Sequence, residues 1–266
     1  RGRSSPRLPT RRSPPASPVP LFFSIPPSNH GQTQRPTALK PVRAATGDRQ
    51  GCQGARYETI SLGTRSYPDL FDDYLAFLEP RLAEAYRVLA PDGTLYFHID
   101  YREAHYCKVL LDAIFGRRCF LNEIIWAYDY GGRTKRKWAP KHDTILVYVK
   151  DPARYTFNMD AIDRVPYMAP GLVGPEKAAR GKVPTDTWWH TIVPTNSRER
   201  MGYPTQKPLG ILTRIVAASS NPGDLVLAFF AGSGTPGAAC LALGRSFVPV
   251  DDNPQPLAVM ARPLAG

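Results

Sequence analysis

The chain has 266 residues, with 34 Lys and Arg against 23 Asp and Glu and a formal charge of +11. Hydrophobic residues make up 42%, which excludes a wholly disordered protein, and no apolar run approaches the ~18 residues that cross a bilayer. Four scattered cysteines, Cys52, Cys107, Cys119 and Cys240, lack metal-like spacing and predict reduced thiols in a cytoplasmic protein with no membrane partner.

The charge is concentrated at the start. Residues 1–56 carry ten basic side chains, a single acid (Asp48) and ten of the 28 prolines. Residues 1–20 read as a disordered, low-complexity basic tail, of a kind that attracts phosphate backbones, with residues 21–266 as one folded domain. A purely solvated end, or sequence that is not native coding, is the plainer reading of the tail. The chain opens on Arg1 rather than Met, as a fragment would. The run from Pro20 to Ile25 is too short to span a membrane and no cleavage pattern follows it.

The apolar spacing predicts a helix over 68–89, carried by Leu70, Phe71, Tyr74, Leu75, Leu78, Leu82, Ala85, Tyr86 and Leu89. Pro91-Asp92-Gly93 reads as a turn. A strand over 94–99, a helix over 101–115, and strands over 120–127 and 144–149 follow. Residues 129–141 form a basic, Gly-containing loop between the last two strands, and 151–200 shows no strong periodicity. A helix over 205–220, a strand over 224–230, a helix over 236–243, a strand over 247–250 and a short helix over 254–264 complete the chain. This alternation predicts an α/β fold with a mostly parallel sheet covered by helices on both faces.

The strongest local motif is strand, glycine turn, helix. Gly232, Gly234 and Gly237 satisfy G-x-G-x-x-G. Such a turn lets a ligand approach the backbone, and the following helix offers free N–H groups and a positive dipole end. Asp251 ends the next strand, where a carboxylate accepts hydrogen bonds from ribose hydroxyls. These features suit a nicotinamide cofactor and S-adenosylmethionine alike, since both carry adenosine. Position favours the second. Too little chain follows Gly237 for another nucleotide-binding half, so the cofactor strand comes late and the sheet is completed from upstream.

FAGSGT (Phe230–Thr235), preceded by YPTQKPLGIL and SSNPGDLVL, resembles the DNA amino-methyltransferases that make N6-methyladenine or N4-methylcytosine. In the class it resembles, the cofactor motif lies near the C-terminus. RVLAPDGTLYFHID, HDTILVYVK and TDTWWHTI are similar to that class too. The resemblance implies a Rossmann-like fold with permuted motif order and an enzyme of the restriction–modification or orphan type. It implies that Phe230, Gly232, Ser233, Gly234 and Thr235 cradle S-adenosylmethionine, that Asp251 binds its ribose, and that Thr205 and Lys207 sit beside it. Lys207, placed in the first turn of a helix, is expected to have an anion near it.

The family solves a chemical problem. The lone pair of an exocyclic amine is delocalised into the ring, so the amine is a poor nucleophile. An Asp-Pro-Pro-aromatic motif supplies acceptors for the amine protons and a ring that stacks on the flipped base. Here the matching positions are Ile25, Pro26, Pro27 and Ser28, followed by Asn29. Ile25 has no acceptor and Ser28 no ring. No acid occurs in residues 1–47, so a shift of register does not restore one. Ala228 also stands where the family has Asp. One lost acceptor costs ~10²–10³ in rate, so this copy is expected to be impaired, with Asn29 or His30 as the substitutes at hand.

The 129–141 loop places Arg133, Lys135, Arg136 and Lys137 around Trp138, which suits contact with a DNA backbone and base stacking. Residues 151–200 are expected to hold a target-recognition insert. Trp188 and Trp189 suit either base stacking or a small hydrophobic cluster, the cluster being favoured. His98, His105, His142 and His190 lack partners at metal-ligand spacing, and no metal is expected. The expected partner is double-stranded DNA with a flipped base, with a homodimer left open. A non-catalytic DNA-binding relative is the alternative, and a nicotinamide oxidoreductase a weaker third reading.

Overall fold

A computed structural model of the chain describes residues 18–29, 37–43, 46, 49–50, 56–64, 71–194, 197, 199, 206–232 and 234–251. The helix expected over 254–264, most of the basic tail, Thr205, Ser233 and His30 lie outside the described residues.

The strands are β1 (Val19–Ser24), β2 (Thr37–Arg43), β3 (Arg49–Gln50), β4 (Arg56–Thr64), β5 (Leu89–Ile99), β6 (Phe120–Ala127), β7 (His142–Val149), β8 (Thr187–Trp189), β9 (Leu225–Phe229) and β10 (Ser246–Val250). The α-helices are α1 (Tyr74–Val88), α2 (Tyr101–Phe115), α3 (Pro175–Arg180), α4 (Leu209–Ser219) and α5 (Thr235–Ala242). Seven strands form one sheet in the order β10-β9-β1-β5-β7-β6-β8, and β2-β4-β3 form a small antiparallel sheet. In the large sheet only β7 runs against its neighbours, pairing antiparallel with β5 and β6. The other ladders are parallel.

Both faces are covered. Side chains alternate along a strand, and β1 shows it: Phe22 joins Leu95, Phe97 and Tyr148 beneath α1 and α2, while Leu21 and Phe23 join Tyr96, Trp126, Ile145 and Val226 beneath α4 and α5. Each such side chain, fully buried, contributes roughly 1.5–3 kcal/mol.

β1 has no counterpart among the elements predicted from sequence, yet it lies near the middle of the sheet between β9 and β5. Buried on both faces, Leu21–Ser24 shows no polar alternation, and the flanking prolines make the segment read as part of a tail. Its first two residues, Val19 and Pro20, fall within the stretch read as tail. The predicted turn at 91–93 is absorbed into β5 as a bulge. Val19 pairs with Leu89 but Leu21 with Thr94, so the strands shift register around Pro20, which has no N–H to give. A Cβ on Gly93 would lie 2.9 Å from the Val19 carbonyl oxygen and from the Leu89 side chain. The bulge therefore needs glycine.

Two helices start later than predicted. α1 begins at Tyr74 because Asp73 caps it, its carboxylate accepting the Ala76 N–H at 2.9 Å. α4 begins at Leu209, after Pro208. No helix among the described residues is long and apolar enough to cross a membrane.

Candidate functional site

In open sheets of this kind ligands collect beyond the carboxyl ends of the parallel strands. At that rim β9 runs into the glycine turn. Phe230 (φ +56°), Gly232 (φ +54°) and Gly234 (φ +76°) adopt left-handed backbone. Such a conformation costs a non-glycine residue like Phe230 about 1–3 kcal/mol, and strain of this size is held where a site requires it. The Phe230 ring is anchored against Phe77 of α1, centroids 6.0 Å apart.

Gly234 caps α5, with Pro236 in the first turn, where a missing donor is harmless. The Gly232 N–H donates to Asp251 Oδ2 at 2.9 Å, tying the turn to the residue that follows β10. The Ala231 N–H reaches the Val250 carbonyl at 3.4 Å. Asp251 thus organises the turn itself. Backbone donors and a helix start, with an accepting carboxylate at the adjoining strand end, fit the carboxylate and the ribose hydroxyls of an adenosine-bearing cofactor.

The Ile25–Ser28 segment leaves β1 next to this turn, since β1 pairs directly with β9. The Ile25 N–H extends that contact by donating to the Phe229 carbonyl at 3.4 Å. Ile25 packs toward the α4 side. Pro26 is buried, and the Tyr74 hydroxyl donates to the Pro27 carbonyl at 2.5 Å. Asn29 (φ +53°) donates its side-chain amide to Glu103 Oε1 at 3.0 Å, so that group is already engaged with α2. The fold therefore brings the glycine turn and the twin prolines together. It supplies no carboxylate at residues 25–28.

Lys207 differs from expectation in its place along the chain. It precedes α4 instead of lying in its first turn, and its anion is in the protein: Nζ lies 3.3 Å from Asp143 Oδ2. The start of α4 is met by the Glu199 carboxylate, which accepts the Leu209 N–H.

Lys207 belongs to a cluster not foreseen from sequence. His98, near the end of β5, hydrogen-bonds through Nε2 to Asp143 Oδ2 at 2.9 Å, and its ring meets Trp126 edge to face at 5.5 Å. Lys207 Nζ also stands 5.4 Å from the Trp126 ring centre. Burial, then the Lys207 cation, push the His98 imidazole down to about 4. Burial of Asp143 works toward neutrality, but the hydrogen bond from His98 and the Lys207 charge outweigh it and hold the carboxyl well below its usual range. Asp143 is therefore ionised and His98 neutral at ordinary pH. The signal in the sequence was HDTILVYV beside LYFHI, two strand ends whose polar residues interrupt apolar runs.

The 129–141 loop stands out from the rim. Trp138 is 97% exposed, and Arg133, Lys135, Arg136 and Lys137 are exposed around it. Lys141 closes the loop, its Nζ donating to the carbonyls of Gly131 (2.7 Å) and Gly132 (2.9 Å). The tryptophan pair divides. Trp188 is core at 7% exposure and donates Nε1–H to the Thr185 carbonyl at 2.8 Å, while Trp189 is 77% exposed. A cavity of about 600 Å³ lies toward the amino ends of the strands under α4, walled by Tyr96, Asn122, Phe157, Trp188 and Ile215. It sits away from the glycine turn. Among the described residues no His, Cys, Asp and Glu cluster is arranged to hold a metal.

A family profile described as DNA methylase matches residues 19–261. The type II methyltransferase M.HpaI of Haemophilus parainfluenzae is 38% identical over 183 residues, 69% of this chain and 57% of that protein. The DNA adenine methyltransferase YhdJ of Escherichia coli K12 is 34% identical over 198 residues, 70% of this chain and 64% of its own length. The chain thus spans between about half and two thirds of the curated relatives it matches. Among solved structures, the cytosine-N4-specific PvuII DNA methyltransferase superposes with a TM-score of 0.60 at 12% identity, covering 92% of this chain and 80% of that one. The M1.HpyAVI–SAM complex gives 0.56 at 19% identity, covering 92% and 87%. At such identities the likeness is one of fold.

Proposed function

Because the chain belongs to the N6/N4 DNA methylase family, we propose that it binds S-adenosylmethionine at the β9–α5 turn and methylates an exocyclic amino nitrogen of adenine or cytosine in double-stranded DNA, at a reduced rate. The observation that carries this reading is the meeting of two motifs at one rim. The Phe230–Thr235 turn, closed on Asp251, adjoins Ile25–Ser28 across a single parallel ladder.

In this reading Gly232, Gly234 and Thr235, with Ser233, hold the methionine end of the cofactor, and Asp251 faces its ribose. When bound, the cofactor supplies a sulfonium-activated methyl group. Pro26 and Pro27 form the floor on which a flipped base rests. The 129–141 loop, through Arg133, Lys135, Arg136, Lys137 and Trp138, grips the DNA backbone, and residues 151–200 contribute to target recognition. Lys207, paired with Asp143, sits beside the cofactor.

Isotope-labelled S-adenosylmethionine, incubated with mixed-sequence duplex DNA, tests this. Expected are cofactor binding by calorimetry and slow label transfer, raised about 10²-fold or more by Ile25→Asp with Ser28→Phe. Ala228 is left unchanged in this test, because it is 1% exposed and a lone carboxylate there would be buried at a cost of several kcal/mol. A folded chain that binds no cofactor would refute the reading. Cofactor and DNA binding without transfer, unchanged by the double substitution, would favour a non-catalytic DNA-binding relative, the reading Ile25 itself supports. The family match removes the nicotinamide alternative.

A further inference from the structure

Two tryptophans adjoin in β8, and only one of them helps to build the sheet. Trp188 is core on the α4 side, so alternation turns Trp189 to the opposite face, where it is 77% exposed. Its neighbour across the ladder is Ala127, too small to cover an indole. The backbone beside the ring is nevertheless fixed twice. The Trp126 Nε1–H donates to the His190 carbonyl at 2.6 Å, and the His190 N–H donates to the Ala127 carbonyl at 3.0 Å. A large ring is thus held at a rigid strand end with its apolar surface in solvent.

Its surroundings are cationic and belong to the rim of the site. β7 runs against both β5 and β6, so β6 and β8 point the same way as β5 and β1. Trp189, level with the last residue of β6, therefore ends on the same carboxyl rim as the glycine turn. The 128–141 segment leaves β6 at that point and carries Arg133, Lys135, Arg136, Lys137 and Lys141 against a single acid, Asp129. Tyr130 and Trp138 of the same segment are also exposed. Rings beside a run of cations suit a polyanion that offers apolar surface as well, which is duplex DNA. A second copy of the chain, paired about a two-fold axis, would bring the same cations face to face. From β1 to β8 the sheet steps through four strand spacings of ~4.8 Å, roughly 19 Å, the rise of about five or six base pairs. A duplex laid along the rim with its target base at β1 therefore reaches Trp189.

We propose that Trp189 is a DNA-contact residue, which lays its indole against the sugars and base edges of the duplex beside the basic loop. The contact is apolar. It adds affinity that salt does not screen, whereas the loop cations add affinity that salt removes. This inference rests on the methyltransferase reading above.

The test is titration of the full chain with mixed-sequence duplex in the presence of S-adenosylmethionine, for the parent, Trp189→Ala and Trp189→Phe. Trp189→Ala should weaken duplex binding about tenfold or more, with cofactor affinity unaltered. The slope of log K against log salt should stay that of the parent, because no phosphate contact is lost. Trp189→Phe keeps a ring and should recover most of the loss. Emission gives a second readout. In a Trp138→Phe background Trp126 and Trp188 are buried, so Trp189 is the exposed indole of the chain. Duplex should quench that emission, and adding Trp189→Ala should abolish the quench. Duplex binding equal to the parent in Trp189→Ala, with the quench retained, overturns the proposal. So does a Trp189→Ala chain that loses self-association in sedimentation yet binds duplex like the parent, since the ring then covers a second copy. Both results leave the methyltransferase reading standing, and a parent that binds neither cofactor nor duplex overturns that reading together with this one.

Discussion

Keeping His98 neutral makes the stability of this fold sensitive to mild acid. Burial and the Lys207 cation place its folded proton affinity at about 4, against 6.5 for an unburied histidine. The folded value is the lower one, so the unfolded chain captures the proton first as pH falls. The contribution is intact above pH ~6.5 and is lost as pH drops toward ~4. At pH ~4.5 the unfolded histidine is almost fully protonated and the folded one mostly is not, which costs about 2–3 kcal/mol at ~1.36 kcal/mol per pH unit. The groups around the ring are Asp143, Lys207, Asp100, Tyr128 and Trp126. Of these, the Asp143 carboxyl is held low, so its own loss begins only from about pH 4 downward. Urea unfolding between about pH 7 and 4.5 measures the effect. His98→Gln is the control, since glutamine keeps an N–H for Asp143 and does not titrate. The parent should lose most of the stated 2–3 kcal/mol over that range, and His98→Gln should lose under about 1 kcal/mol. Parallel curves for the two proteins would show that His98 is not the titrating group.

Three further outcomes are expected. A Cβ on Gly210, in the first turn of α4, would lie 2.6 Å from His190 Nε2, and that ring is fixed by its Nδ1 contact with the Thr191 carbonyl at 2.9 Å. Gly210→Ala should therefore destabilise by about 1–2 kcal/mol in chemical denaturation. In a His190→Ala background the same change should become neutral or stabilising by up to ~1 kcal/mol, as helix propensity alone predicts. Trp188→Ala should cost roughly 3–5 kcal/mol as a core deletion, and Trp189→Ala should stay within about 0.5 kcal/mol, both read by thermal and urea unfolding. Replacing Lys135, Arg136 and Lys137 together by Gln should weaken duplex binding. It should flatten the log K against log salt slope by about 0.9 for each lost phosphate contact, with an unaltered slope placing the loop off the DNA.

Much of the fold was legible because periodicity and turn chemistry are local. The helix over 101–115 was recovered with its bounds, framed by Asp100 and Gly116, and the β6, β7 and β9 runs were apolar enough to stand out. The glycine turn was legible for the same reason, since left-handed backbone at Gly232 and Gly234 leaves a residue-type signature. β1 was missed because a strand buried on both faces carries no alternation, and because its prolines resemble those of the adjoining basic stretch. The Pro91-Asp92-Gly93 run was read as a turn since nothing in it announces that β1 will pair on both sides of a bulge. Trp188 and Trp189 look alike in sequence, and only the packing of α4 makes one core and the other surface.

Residue order was enough for the fold class, the place of the glycine turn late in the chain, and the lack of an acid at the proline motif. Each depends on residue type at one position or on spacing along a single element. Tertiary structure alone decided that Lys207 answers to Asp143, and that Asp251 ties the turn by accepting the Gly232 N–H. It also decided that His98 pairs with Asp143. Those contacts join residues 19 to 64 positions apart, and whether a buried charge or lone pair finds a partner depends on which strand ends the sheet brings together.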